Sequence, residues 1–310
     1  MSRYLVIVNP TSGRGYAEKM IPVIEKNLND AGITFDLIRT ERPWHAVEIA
    51  EKAALEGYDA VVAASGDGTA NEVLNGLMVA QKKGAANTAM GIITVGTGND
   101  FAYGMNIPTD FDACFDILKK NFRRKVDIGF VKGGDFPNGR YFGNGVGMGF
   151  DAAVGFEAVK IRWTRGLLAY LIAALRTVFL YFKAPHVEIN YDENRLEQDS
   201  LMTSIMNGRR MGGGFYMAPQ GDPGDGMLDL CIASSASKLR IFQLITFFMK
   251  GTQATQPEVK TARARTVSIT ALKGTMPAHC DGETLCYQGT KLEIELIPHC
   301  LEFITTETKN

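Results

Sequence analysis

Cysteine is scarce. The chain has five, Cys114, Cys231, Cys280, Cys286 and Cys300, an odd number with no Cys-x-x-Cys spacing. That argues against a disulfide framework and favours a reducing cytoplasm. Zinc held by His279, Cys280, Cys286 and His299 would match no usual ligand spacing, so the thiols read better as buried apolar side chains. An excess of either charge is also missing. With 33 Lys and Arg against 34 Asp and Glu, no global field draws the chain toward nucleic acid. Long apolar runs are absent as well. The first ten residues are too short a run for a signal peptide, and no small-residue cleavage site follows. The most apolar segment, residues 167–182, is shorter than the ~20 residues that span a bilayer, and it contains Arg176. No repeat or low-complexity tract stands out. What remains is ordinary globular chain, 45% hydrophobic and 22% charged, whose 310 residues suffice for two domains with a core each.

Through about residue 125, short apolar runs alternate with helical patterns. Strands are expected at 4–8, 34–38, 59–64 and 91–95, and helices at 16–31, 44–56 and 70–83. Pro43 suits the first turn of the second helix. This alternation predicts an α/β domain: a doubly wound, mainly parallel sheet with helices on both faces. After residue 128 the texture changes. Strands are expected at 141–148, 187–191, 201–206, 228–233, 265–269, 291–297 and 301–305, several alternating apolar and polar residues. Helical patterns at 165–182 and 238–250 interrupt them. A β-rich, antiparallel, sandwich-like domain is expected there. The boundaries read as 1–128 and 129–310, with a C-terminal tail free to pack back on the first domain.

The glycines are placed with purpose. Ser65-Gly66-Asp67-Gly68-Thr69 follows one expected strand and precedes a helix. Glycine lets backbone approach a ligand, and a helix N-terminus offers N–H donors and positive dipole, so this is a phosphate site with an acid beside it. The pattern Thr69-x-x-Glu72 predicts a capping box at the helix start. Asn9-Pro10-Thr11-Ser12-Gly13-Arg14-Gly15 and Gly96-Thr97-Gly98-Asn99-Asp100-Phe101 also follow strands, where ligands bind in parallel sheets. Each alone could be an ordinary turn. Asp222-Pro223-Gly224-Asp225-Gly226-Met227 brings carboxylates and a carbonyl together, as magnesium requires, or as a plain turn would. Asp281-Gly282-Glu283 reads as a hairpin turn. The run from Gly143 to Gly149 lacks the strand–helix placement of a dinucleotide motif and reads as close packing of a strand.

Six segments then occur in one order: residues 9–15 (NPTSGRG), 65–73 (SGDGTANEV), 96–101 (GTGNDF), 207–219 (NGRRMGGGFYMAP), 225–230 (DGMLDL) and 281–283 (DGE). Together they span nearly the whole chain, and their order resembles the bacterial diacylglycerol kinase-like lipid kinases, a family that includes sphingosine and ceramide kinases. Ser65 stands where that family more often has glycine, although sphingosine kinases also accept serine. The resemblance implies nucleotide in a cleft between two domains. By matching motif, Asn9, Ser12, Thr40, Ser65, Gly66, Gly68, Thr69, Thr97 and Asn99 would line an ATP site. Asp67 would act with magnesium and as a candidate base, Glu283 would be the other catalytic acid, and Asp222, Asp225 and the Met227 carbonyl would form a structural magnesium site. The implied partners are ATP and a lipid hydroxyl at the membrane surface. A homodimer is compatible, as is peripheral contact with the inner face of the membrane. The helix at 165–182, apolar with basic flanks, suits either the core of the second domain or a lipid-facing surface. Arg209 and Arg210 could meet anionic groups or simply be solvated. The alternatives are an NAD kinase, which shares the GDGT loop, and a protein that binds lipid or nucleotide without catalysis.

Overall fold

The computed structural model describes residues 3–85, 88–161, 163–164, 166–180 and 183–307. The chain divides into two compact units, Met1–Ile128 with His299–Asn310, and Gly129–Pro298.

The first unit runs β1 (Arg3–Val8), α1 (Ser12–Asp30), β2 (Thr34–Arg39), α2 (His45–Leu55), β3 (Ala60–Ser65), α3 (Asp67–Lys82), β4 (Ala89–Thr94), α4 (Asp100–Gly104) and α5 (Phe111–Lys120). Strand β5 (Arg123–Gly133) crosses its boundary. The strand order is β2-β1-β3-β4, all parallel, and Phe303 of the returning tail pairs in parallel with Met90. Every residue of β3 and β4 is buried. Such strands must be covered on both faces, which is why they read as unbroken runs of Val, Ala and Ile rather than alternating. β2 is the edge and carries Asp36 and Arg39, charges that discourage further strand pairing.

Helix α3 begins at Asp67 behind Gly66, not at residue 70. Glu72 Oε2 accepts from the backbone N–H of Ala46, 3.1 Å away, in the first turn of α2. That helix therefore has its cap supplied by a neighbour. It begins at His45, behind a left-handed Trp44, with Pro43 left in the preceding turn.

The second unit contains β6 (Phe136–Phe142), β7 (Gly145–Gly149), α6 (Phe150–Lys160), α7 (Gly166–Leu180), β8 (His186–Tyr191), β9 (Asn194–Met206), β10 (Arg210–Met211), β11 (Phe215–Tyr216), β12 (Leu228–Ser234), α8 (Lys238–Lys250), β13 (Val259–Ala264), β14 (Thr266–Lys273), β15 (Met276–Cys280), β16 (Glu283–Gly289) and most of β17 (Lys291–Ile304). Its pairings β7–β9, β8–β9, β8–β14, β14–β17, β9–β12, β12–β13, β7–β15 and β15–β16 are all antiparallel. Alternation along β9 and β12 separates two cores. Ile205, Leu230 and Ile232 point into an all-strand core, whereas Met206, Cys231 and Ala233 pack under α6, α7 and α8. This is a sheet with one face on a sandwich interior and the other on a helical layer.

Three expected boundaries move. The single strand at 141–148 breaks at Gly143-Asn144 into β6 and β7. The two at 291–297 and 301–305 are one strand, β17, with a left-handed His299 where the chain passes between units. The helix expected at 165–182 is α7, although Arg165, Tyr181 and Phe182 lie outside the described residues. One face of α7, with Ala169, Ala173, Ala174 and Val178, belongs to the helical core. Leu168, Leu175 and Phe179 are exposed. The helix is therefore core on one side and not on the other. Among the described residues no helix is long and apolar enough to cross a membrane.

Candidate active site

In the first unit the chain leaves β1 toward β2 on one side, and β3 lies on the other, so the β1 and β3 loops flank a topological switch point at the carboxyl ends of the strands. The three glycine loops interlock there. Asn9 Nδ2 donates to Thr69 Oγ1 at 3.3 Å, and Ser65 Oγ donates to the same oxygen at 2.9 Å. Thr69 thus ties the first loop to the second. Asn9 also organises its own loop: its Oδ1 accepts from Thr11 N at 3.0 Å, and its carbonyl accepts from Ser12 N at 3.0 Å. The second and third loops meet at glycine. A Cβ added to Gly96 would lie 2.4 Å from Gly66 Cα and 2.8 Å from Asn99 Oδ1, so no side chain fits. Asn99 Nδ2 returns to the Gly96 carbonyl at 3.2 Å. Gly13, Arg14 and Gly15 run consecutively through left-handed backbone, which is cheap for glycine but costly for arginine. Thr40 is buried and continues the β1–β2 ladder through its N–H to the Val8 carbonyl at 2.9 Å. Gly68 sits in the first turn of α3, and Thr97 is exposed.

Asp67 opens α3, where the helix dipole favours its negative charge. Its Oδ1 accepts from the Phe101 N–H at 2.9 Å, fixing the carboxylate against the start of α4. A Cβ on Gly98 would stand 3.0 Å from Asp67 Oδ2 and 3.8 Å from Asp100 Oδ2. Gly98 thus separates two carboxylates at the mouth of the loops. Reasoning from sequence had no role for Asp100. The signal available was its place directly after Asn99.

In the second unit, Asp281 and Gly282 form the left-handed two-residue turn between β15 and β16, and exposed Glu283 is the first residue beyond it. Asp281 was not singled out as a site residue, yet it is a buried acid held by three backbone N–H groups. Oδ2 accepts from Gly143 N at 2.8 Å, and Oδ1 accepts from Asn144 N at 3.0 Å and Gly145 N at 2.8 Å. These bonds are what split the expected 141–148 strand.

Asp222 is buried and Asp225 exposed in the turn before β12. The Asp222 carbonyl accepts from Gly224 N at 2.7 Å, Asp225 Oδ1 accepts from Met227 N at 3.1 Å, and Arg263 pairs with Asp225. Burial first, then the charges of Asp225 and Asp222, push Asp229 up to about 6, with Arg263 pulling the other way. This excess of carboxylate, with the Met227 carbonyl in the same turn, is an oxygen-donor set that suits magnesium. Among the described residues no group of three or more His, Cys, Asp and Glu side chains forms a ready metal cage. Cys114, Cys231, Cys280 and Cys286 are buried and unpaired with one another, and Cys300 is half-buried. Arg209 is not simply solvated, because its Nε donates to the Gly221 carbonyl at 3.0 Å.

A second buried polar group escaped sequence reasoning altogether. Asp151 Oδ2 accepts from Ser204 Oγ at 3.1 Å and lies 3.9 Å from His279 Nε2. Burial pushes the Asp151 carboxyl up to about 7 and the His279 imidazole down to about 4, disfavouring the charged form of both.

A parallel α/β sheet with interlocked glycine loops at its switch point, and an acid held at a helix N-terminus, has the makings of a phosphotransferase. Residues 3–131 match the family model described as diacylglycerol kinase catalytic domain, and residues 144–305 match the YegS C-terminal NAD kinase beta sandwich-like domain. A Bacillus subtilis (strain 168) protein named diacylglycerol kinase is 31% identical over 286 residues, covering 91% of this chain and 90% of that protein. The crystal structure of a diacylglycerol kinase from Bacillus anthracis aligns with a TM-score of 0.74 at 21% identity, covering 99% of this chain and 97% of that one. A yeast NADH kinase structure aligns more remotely, with a TM-score of 0.53 at 10% identity over 100% of this chain and 84% of that one. These two structural likenesses speak to the fold alone. The chain belongs to the diacylglycerol kinase family of lipid kinases, as the resemblance of its motifs implies.

Proposed function

We propose that the chain transfers the γ-phosphate of ATP to the hydroxyl of a membrane lipid, diacylglycerol being the acceptor that family membership favours, with phosphatidate as product. The observation that carries this reading is the interlocking of three loops around Asp67 at the carboxyl ends of β1, β3 and β4. Closely approached glycine backbone and the first turn of α3 cradle the phosphates, with Asn9, Ser12, Ser65, Gly66, Gly68, Thr69, Thr97 and Asn99 around them and Thr40 nearby. Asp67 would hold magnesium, which when bound would supply positive charge against the phosphate oxygens, and Asp222, Asp225 and the Met227 carbonyl would hold a second ion in the second unit. The acceptor hydroxyl attacks the γ-phosphorus, and oriented N–H groups offset the charge that develops on the phosphate oxygens. A carboxylate, Glu283 or Asp67, takes the hydroxyl proton. The enzyme would then work at the inner face of the membrane without spanning it.

The test is transfer of labelled γ-phosphate from magnesium-ATP to micellar lipids, with Asp67→Asn as control. Label in one lipid and a loss of at least roughly a hundredfold in the variant is expected, the usual scale for removing a catalytic acid or base. Near-wild-type turnover in Asp67→Asn would sink the assignment of that residue. ATP binding with no transfer to any lipid would favour a binding protein. The GDGT loop also admits an NAD kinase, and formation of NADP from NAD would favour that reading.

A further inference from the structure

Helix α7 is apolar on both of its faces. Ala169, Ala173, Ala174 and Val178 are buried, with Tyr170 and Leu171 packed against the same core, while Leu168, Leu175 and Phe179 stand 54%, 47% and 62% exposed. Positions 168, 172, 175 and 179 follow helical spacing, so with half-buried Ile172 they form one stripe. The neighbouring helix continues it. The Phe242 ring lies 5.6 Å from that of Phe179, and Leu239 is 72% exposed. Past that corner the outer positions of α8 are Gln243, Thr246 and Lys250, an ordinary solvated face. Trp163, in the connection from α6 to α7, is exposed as well. A contiguous apolar face of this kind marks an interaction site rather than scattered surface residues.

The charge around it selects the partner. No Asp or Glu occurs at 158–187 or at 230–257, stretches that hold the whole of α7 and α8. The bases there include Arg176 and Lys183, both exposed, and Lys238, whose Nζ lies 5.6 Å from the Phe179 ring centroid. The acid packed against the start of α8, Glu258, is paired with Arg240 at 2.8 Å. Large apolar side chains with exposed bases beside them match the interface of an anionic bilayer, where side chains enter the acyl boundary and bases meet headgroup phosphates. We infer that the outer face of α7, with Leu239 and Phe242 of α8, is the surface by which this protein docks on anionic membranes. The inference deepens the lipid-kinase reading and rests on it for why a membrane is the partner, but it is tested without catalysis.

The experiment is co-sedimentation of the full chain, without ATP, with vesicles of phosphatidylcholine alone or with phosphatidylglycerol added. Wild type should pellet with the anionic vesicles. Leu175→Ser with Phe179→Ser, both at exposed positions, should lower the partition coefficient at least roughly tenfold while leaving the urea unfolding midpoint in place. Arg176→Gln with Lys183→Gln should lower it roughly fivefold or more on anionic vesicles and leave the weak binding to neutral ones unchanged. Should a variant pair unfold, single Leu175→Ala and Phe179→Ala variants read the same effect at smaller size. Equal sedimentation of wild type and variants would overturn the inference. So would a wild-type dimer, seen by analytical ultracentrifugation, that the Leu175/Phe179 variant dissolves while wild type ignores vesicles, since the face would then join two copies. Docking of wild type that phosphorylates no lipid would refute the kinase reading and leave the docking surface standing.

Discussion

Replacing Asp281 tests whether one buried carboxylate holds together the loop of Gly143 to Gly145 and the hairpin that presents Glu283. The residue is 4% exposed and accepts from three successive backbone N–H groups at 2.8, 3.0 and 2.8 Å. Hydrogen bonds to a charged group each contribute about 1.5–3 kcal/mol, and a buried donor left without a partner costs a comparable amount. In Asp281→Asn the shape survives, but one of the two oxygens becomes an NH2 facing an N–H. Losing one bond and weakening two gives a cost of roughly 2–4 kcal/mol. In Asp281→Ala three donors lose their acceptor, and even with water entering the cost should reach roughly 4–6 kcal/mol. That is a large part of the ~5–15 kcal/mol that stabilises a typical domain. The two-unit chain need not unfold in one step, so the assay should read the segment directly. Hydrogen exchange followed by mass spectrometry on a peptide covering Gly143–Gly145 should show protection lost in both variants, while peptides from β3 and β4 keep theirs. Because Glu283 follows two residues later, phosphate transfer should fall in Asp281→Asn with ATP affinity little changed. Wild-type protection of those amides in Asp281→Asn would refute the reasoning.

The other predictions concern the loops, the buried pair and the cation. Gly96→Ala places a Cβ 2.4 Å from Gly66 Cα, so the loops must part; ATP affinity measured by calorimetry should fall at least roughly tenfold, a loss of 1.4 kcal/mol, with the urea midpoint of the chain nearly unmoved. The Asp151 carboxyl has a folded-state value of about 7, above its unfolded one, so its contribution is greatest in acid and is lost as pH rises through about 7, by up to roughly 4 kcal/mol. Asp151→Asn should therefore raise stability at pH 7.5 and hardly change it at pH 4, as urea titrations at the two pH values would report. His279, lowered to about 4, has the opposite sign and costs stability as pH falls from 6.5 toward 4. The two nearly cancel in that window for wild type, and a steep fall below pH 6.5 should be laid bare in the Asp151→Asn variant. Removal of magnesium with a chelator should lower the thermal midpoint, added magnesium should restore it, and Asp225→Asn should abolish the response.

How far the sequence could be read depended on the range of the interaction that decided each feature. Strand runs such as Ala60–Ser65, and the glycine loops behind them, are local, and chain order alone placed those loops at strand ends. The partner of Glu72 was missed because Ala46 lies 26 positions away. The break at Gly143-Asn144 failed for the same reason, since Asp281 is 137 positions from Asn144. The buried Asp151, Ser204 and His279 come from α6, β9 and β15, and no spacing in one dimension announces them. Helix α7 is a different case, because its signal was present but not of the kind that hydropathy weighs. Alanine and leucine both count as apolar, so the helix looked uniform and the choice between core and lipid face stayed open. The apolar residues nonetheless fall on two sides in the helical period. Ala169, Ala173, Ala174 and Val178 lie on one side and Leu168, Leu175 and Phe179 on the other. Small residues let the helix lie close against α6, and a protein with only water outside would gain nothing by turning Leu168, Leu175 and Phe179 away from the core. Apolar residues on every side of one helix, at more positions than a single core can cover, are thus the feature of the sequence that accords with the proposed docking face.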